Sequence, residues 1–297
     1  MAECVDCCKT VTESWKARGK AIGWTVAFFA CGVAATYLLG LGLKRLGADP
    51  MALWFGVVTL IVGFGFSTML VGRRLMKLSW QDLRYRGVGT QWKGFAVGLG
   101  VGALPAVVAL VIAAPVGHAG WSLDGGTFVA WGKAVGGLAL LLLPAAFAEE
   151  LVFRGVGYIA LSKVFGRLGP AIVLSVLFGA AHLGNPHVTP LAVANVALAG
   201  IFLSAALWLP GGIWAATGVH LGWNITLAAL GAPVSGLDFT LPMLDYSMGG
   251  PGWLTGGAFG PEGGVIATLI VTTAAVLLFR RTTYGGSTTH DSRPTTQ

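Results

Sequence analysis

Residues 21–43 carry no charged side chain, and neither do residues 52–71 or 95–115. A bilayer's hydrocarbon core is about 30 Å thick and is crossed by about 20 apolar residues, provided that the backbone satisfies its own hydrogen bonds as a helix. Apolar runs continue to the end of the chain. One starts near Trp131 and passes through Glu149; others cover 168–183, 190–209, 212–230 and 265–279. The fifth and eighth are short for a full crossing. Charged residues make up only 10% of the chain, against roughly 25% in soluble domains. The fold class expected is all-α, a polytopic membrane protein with about eight transmembrane helices. The first run is too long for the apolar part of a signal peptide and has no clear cleavage site, so it is expected to be retained.

The net charge of +7 would suit a nucleic-acid binder, but its distribution points elsewhere. Lys9, Lys16, Arg18 and Lys20 precede the first span. Arg73, Arg74, Lys77, Arg84, Arg86 and Lys93 lie between the second and third, Lys163 and Arg167 between the fourth and fifth, and Arg280, Arg281 and Arg293 after the last. In an eight-span topology these all fall on one side, and only Lys44, Arg45 and Lys133 fall on the other. The positive-inside rule then puts both termini in the cytoplasm. The surplus reads as a topology signal with attraction to anionic lipid, so the partner is the bilayer and no nucleic acid is expected. The brevity of the loops suits a multi-pass protein of a prokaryotic plasma membrane.

Three segments follow. Residues 1–20 form a polar cytoplasmic lead, 21–281 a single transmembrane domain, and 282–297 a Ser/Thr-rich cytoplasmic tail expected to be disordered. Residues 72–94 interleave Leu75, Leu78, Trp80 and Leu83 with basic residues, which suits either a helix lying on the headgroups or a connecting loop. Residues 231–264 are rich in Gly and Pro, hold Asp238, Asp245 and Glu262 without Lys or Arg, and read as a long irregular external loop. Cys4, Cys7 and Cys8 sit on the cytoplasmic side, where disulfides are disfavoured, and they lack a fourth ligand for a metal; Cys31 lies in the first span.

Ionisable groups inside a span are costly and by default mark function. Three spans have them. Glu149 and Glu150 are adjacent, and Arg154 lies four residues after Glu150. Positions i and i+4 share a helix face, so Glu150 and Arg154 can pair. Glu149 points about 100° away and is left free. An unpaired carboxyl in an apolar setting suits a general base or acid. Pro144 offers a kink in the same span. Phe178 and His182 share a face of the fifth span, which Gly184, Asn185 and Pro186 then end; His220 and Asn224 share a face of the seventh. Counting at 1.5 Å per residue from the turn near 166–170 puts Glu149 and His182 at similar depth, with His220 within about two helical turns. A continuous helix from Trp131 to Phe165 would measure about 50 Å, so it must tilt, kink or project.

Glu149-Glu150-x-x-x-Arg154, Phe178-x-x-x-His182 and His220-x-x-x-Asn224, in that order on apolar helices, resemble the type II CAAX prenyl protease family, which also includes bacteriocin-processing membrane proteins. The resemblance covers about residues 138–230. It implies an intramembrane endopeptidase acting on a membrane-associated protein or peptide, of CAAX type or leader-like. By the same resemblance Glu149, helped by His182, would activate water; His220 and Asn224 would stabilise the oxyanion; Glu150 and Arg154 would hold the geometry, with Phe178 in support. Zinc held by Glu149, His182 and His220 is the alternative to a metal-free glutamate mechanism. Two other readings of the same residues are a non-catalytic scaffold of the family and a proton-coupled transporter, although the chain shows no inverted repeat or pair of broken helices. His118, His187 and His290 read as surface residues, and Asn195 as a lone polar group in the sixth span.

Overall fold

The computed structural model describes residues 2–49, 52–85 and 88–284. Most of the Ser/Thr-rich tail, from residue 285, and the side chains of Cys4, Cys7 and Cys8 lie outside what is described. The architecture is a helical bundle: α1 (Ala2–Arg45), α2 (Leu53–Ser67) running into a π-helical segment (Thr68–Leu75), α3 (Val88–Gly117), α4 (Phe128–Phe153), α5 (Val156–Phe165), α6 (Leu168–Ala181), α7 (Pro190–Ala206), α8 (Ile213–Ala229), a short α9 (Gly252–Thr255) and α10 (Val265–Tyr284). Among the described residues five helical stretches are long and apolar enough to cross a bilayer: Ser14–Arg45, Trp54–Leu75, Thr90–Gly117, Phe128–Phe153 and Val265–Thr283. Their outward faces are apolar, with Val26, Val33, Val62, Phe66, Val97, Leu104, Val111, Leu269 and Leu277 all exposed. A surface of this kind belongs against lipid, not water. The chain is an integral membrane protein. Helix α1 already runs through the polar lead, and α10 extends to Tyr284, three residues into the segment expected to be tail.

The helix at the centre of the bundle is α8. Nearly every residue from Ile213 to Trp223 is buried. Val219 and Trp223 belong to a core shared with α3, α7 and α10 (Leu110, Val196, Phe202, Val271). Ile213, at its first turn, belongs to a second core with α1, α2, α4, α5 and α6 (Phe28, Phe64, Leu151, Tyr158, Leu174). In lipid, close packing replaces the hydrophobic drive, and small residues make it close. Gly94, Gly98 and Gly102 are four apart on α3, and Gly218 and Gly222 four apart on α8. A Cβ on Gly98 would lie 3.0 Å from Val219 N and 3.1 Å from Gly218 Cα; one on Gly222 would lie 2.9 Å from Leu99 C and Cα and closer still to its carbonyl oxygen. Two helices in backbone contact leave little room for either to slide or rotate, so His220 and Asn224 inherit a fixed position.

The long fourth span resolves its excess length by breaking. Residues 154–155 leave the helical region, with Gly155 at ψ −143°, and α5 starts anew at Val156. Pro144 stays inside α4; the interruption comes ten residues further on.

The 72–94 segment is no headgroup helix. After Leu75 the chain turns irregularly, burying Leu78 and Leu83 in the second core while Trp80 stays exposed against Arg73, 4.8 Å from its guanidinium. Residues 231–264 are more ordered than a loop of that composition suggests. Strand β2 (Asp245–Ser247) pairs antiparallel with β1 (Gly120–Ser122), joining Trp121 to Tyr246. Trp121 and Trp131 donate through their indole N–H groups to the carbonyls of Leu230 and Ala229, closing the C-terminal end of α8.

Gly98→Leu forces bulk into the α3–α8 contact. Overpacking of this kind costs about 1–3 kcal/mol. The expected result is a lower unfolding temperature of the detergent-purified protein, read by thermal scanning, whereas Gly100→Ala, where nothing lies within 4 Å, does not lower it.

Candidate active site

The buried charge of the bundle starts with Glu150 and Arg154, 0% and 1% exposed at side-chain level. Arg154 Nη1 donates to Glu150 Oε1 at 3.2 Å, the pair expected from their i, i+4 spacing. The guanidinium does more than pair. Its Nη2 donates to the Gly200 carbonyl of α7 at 2.8 Å, and its plane lies over the Phe178 ring of α6 at 4.7 Å. Glu150 Oε1 also takes His220 Nδ1 of α8 at 2.9 Å. One carboxylate oxygen therefore joins α4 to α8, and its arginine carries the connection to α6 and α7.

That pairing decides what Glu149 does. Its side chain faces away from Arg154, is 33% exposed, and stands 3.7 Å from His220 Nε2. Its Oε2 has no hydrogen-bond partner among the described residues. The carboxylate opens into a cavity of about 400 Å³ that is also lined by His182, Asn185, His220, Asn224 and Ser235, with apolar walls from Leu60, Leu142, Phe153, Val234, Leu237 and Phe239. Glu149, His182, His220 and Asn224, read from three separate motifs, thus share one chamber. Phe178 packs against both histidines: its ring meets His182 edge-on at 4.7 Å and His220 at 6.0 Å.

The imidazole tautomers follow from their acceptors. His182 is the first residue past α6, and its Nδ1 is 2.8 Å from the Phe178 carbonyl. A carbonyl only accepts, so Nδ1 carries the proton and neutral His182 keeps a lone pair on Nε2. His220 Nδ1 has the carboxylate of Glu150, leaving its Nε2 edge toward Glu149 and the cavity.

The zinc alternative does not fit this arrangement. Among the described residues no three His, Cys, Asp or Glu side chains form a group that could hold a metal. Glu149, His182 and His220 share the cavity without forming such a group.

Residues the motifs missed surround the chamber. Asn185, expected only to end a helix, donates to the Ser235 carbonyl at 2.9 Å. Glu262, expected on an external loop, is 9% exposed and accepts from Trp223 Nε1 at 2.9 Å and from the Ser235 backbone N–H and hydroxyl, the latter at 2.9 Å. Asn195 binds the Glu262 and Gly264 carbonyls at 2.7 and 2.9 Å and accepts from Thr268 at 2.7 Å. The one available signal was the polar Asn195 in an apolar helix; an acid flanked by Gly and Pro looks solvent-facing until the loop is folded. His118 and His187 are exposed, as expected of surface residues.

The fold and site define a class: a helical integral membrane protein with carboxylates and histidines gathered in a chamber inside the bundle. Residues 131–226, about a third of the chain, match the family described as type II CAAX prenyl endopeptidase Rce1-like. The match contains all three motifs, so over this region the chain is similar to that family. No curated protein and no solved structure matches the chain.

The pairing pattern separates the two glutamates experimentally. Arg154→Met leaves Glu150 as a buried, half-paired carboxylate, a change that costs about 3–5 kcal/mol. Glu149→Gln, which breaks no hydrogen bond, shifts stability by less than about 0.5 kcal/mol. Thermal unfolding of the two purified variants checks this: a large drop for the first and none for the second.

Proposed function

We propose that the protein is an intramembrane endopeptidase that hydrolyses a peptide bond of a membrane-associated protein or peptide by a glutamate-activated water. The observation that carries this reading is the shared chamber of Glu149, His182, His220 and Asn224 inside an apolar bundle. Amide hydrolysis needs an activated nucleophile, a proton carrier and oxyanion donors, and these four side chains supply each type. The family's description names a CAAX prenyl endopeptidase, so a CAAX-type or leader-like peptide is the substrate class.

In this reading Glu149, with an oxygen unengaged by the protein, takes a proton from water as the water oxygen attacks the scissile carbonyl. The Nε2 edge of His220 and the Asn224 amide, one helical turn apart on α8, donate to the oxyanion that forms. Both nitrogens of His220 have a carboxylate acceptor nearby, which supports the doubly protonated ring that such donation requires. His182 accepts at Nε2 the proton that Glu149 took from water and passes it to the leaving amine, so that the Glu149 carboxylate is regenerated and the products are a carboxylic acid, which ionises, and an amine. Glu150, Arg154 and Phe178 touch no substrate and hold the others in place. The largely apolar walls keep bulk water away from the reaction, which strengthens each of these contacts.

The placement in the membrane is part of the proposal. Eight spans, with α6, α7 and α8 as short helices beside the five long ones, put both termini and the basic segments in the cytoplasm of a prokaryotic cell. The 21–281 region then acts as one domain.

The test is a comparison of cleaved protein termini in cells carrying wild type or Glu149→Gln. Termini present with wild type should vanish with the variant while its abundance is unchanged; identical sets of termini would overturn the protease reading. Asn224→Ala should slow cleavage of the same substrates by about 10²–10³, measured as the accumulation of cut product over time.

A further inference from the structure

One wall of the chamber is a turn instead of a helix. Val234, Ser235 and Leu237 line the cavity together with Glu149, His182, His220 and Asn224. Val234 and Leu237 exchange backbone hydrogen bonds, each 2.9 Å. The two residues between them are both at positive φ, Ser235 at +50° and Gly236 at +84°. That is the pattern of a type I′ turn, which glycine adopts freely and serine does not. A non-glycine residue in the left-handed region persists only where its surroundings hold it, and such residues gather at functional sites.

Ser235 is held from both sides. Its N–H and hydroxyl donate to Glu262 Oε2, the hydroxyl at 2.9 Å, and its carbonyl accepts from Asn185 Nδ2 at 2.9 Å. Glu262 Oε1 accepts from the indole of Trp223 at 2.9 Å. Trp223 precedes Asn224 and follows His220 by three residues, on the helix that bears the expected oxyanion donors. The next turn residue is tied as well: the Gly236 N–H donates to the Phe259 carbonyl at 2.7 Å. Both oxygens of a nearly inaccessible carboxylate thus connect the strained wall of the chamber to the helix carrying its chemistry.

We infer that Glu262 is a positioning residue of this chamber. Its carboxylate locks the Ser235–Gly236 turn against α8 and so sets the shape of the wall on which a substrate chain rests. Glu262 lies outside the 131–226 match, in the Gly/Pro-rich segment 231–264. The inference rests on the protease reading for its consequence, but the clamp itself is measurable without activity.

Full-length protein is reconstituted in lipid nanodiscs, with Cys4, Cys7, Cys8 and Cys31 replaced by serine and Val234→Cys as the only thiol. Val234 is 4% exposed, so modification by a maleimide should be slow. Glu262→Ala should accelerate it about tenfold or more, the scale of losing one charge-assisted hydrogen bond, and Glu262→Gln should accelerate it less. Adding Ser235→Gly to Glu262→Ala should restore protection, because glycine keeps positive φ without a clamp; a carboxylate that merely supported the fold would not be rescued in this way. Equal labelling rates with and without Glu262, or no rescue by Ser235→Gly, would overturn the clamp. If Glu262→Ala does not fold by thermal scanning, the comparison of Glu262→Gln with wild type decides. In cells, both Glu262 variants should alter the set of cut positions, and an unchanged set would overturn the positioning role. Should Glu149→Gln leave the termini as in wild type, the protease reading fails by itself and the labelling rates still decide the clamp.

Discussion

The Glu150 carboxylate is the interaction on which the arrangement of the bundle turns. A carboxylate with no exposed surface inside an apolar bundle is tolerated only with charged or hydrogen-bonding partners at good geometry. Arg154 from the same helix supplies one and His220 from α8 the other. Arg154 in turn needs more acceptors than one carboxylate oxygen, and finds the Gly200 carbonyl and the face of Phe178. Four helices must therefore be in register before the charge is accommodated. Glu149 gains its freedom from the same arrangement. The residue next to it in sequence absorbs the arginine, and helical geometry turns Glu149 toward the chamber.

Fixing α8 is the second requirement, and charge alone does not accomplish it. The interleaved glycines of α3 and α8 bring the two backbones into contact, and this close packing takes the place of a hydrophobic drive that lipid does not supply. The break at residues 154–155 adds to this. It lets α4 end near Arg154 and starts α5 in a new direction, packed on α1 around Phe28. A straight helix through that point would have carried Tyr158 and Ile159 out of the core they occupy.

Much of the site was legible in the sequence because helices impose a short-range rule. The i, i+4 spacing names Glu150 and Arg154 as partners, sets Glu149 apart, and pairs Phe178 with His182 and His220 with Asn224. Counting from a turn sets depth. The rule fails where contacts are long-range. Glu262 meets Trp223 across 39 positions and Ser235 across 27, and no periodicity relates them. Zinc stayed open for the same reason, since residue types without distances fit both a ligand set and a proton-transfer set.

The sequence by itself determined that this chain lives in a membrane as helices, because uncharged runs leave the backbone no other way to satisfy its hydrogen bonds. It also determined which carboxylate pairs with arginine, because helical phase is a local property. Only the tertiary structure decided that His220 stands between the two glutamates and that the histidines and Glu149 do not converge as metal ligands. It also decided that an acid in a Gly/Pro-rich segment returns to the chamber to hold a strained turn. Those outcomes depend on how helices cross and where a loop folds back, and crossing is set by packing over the whole bundle.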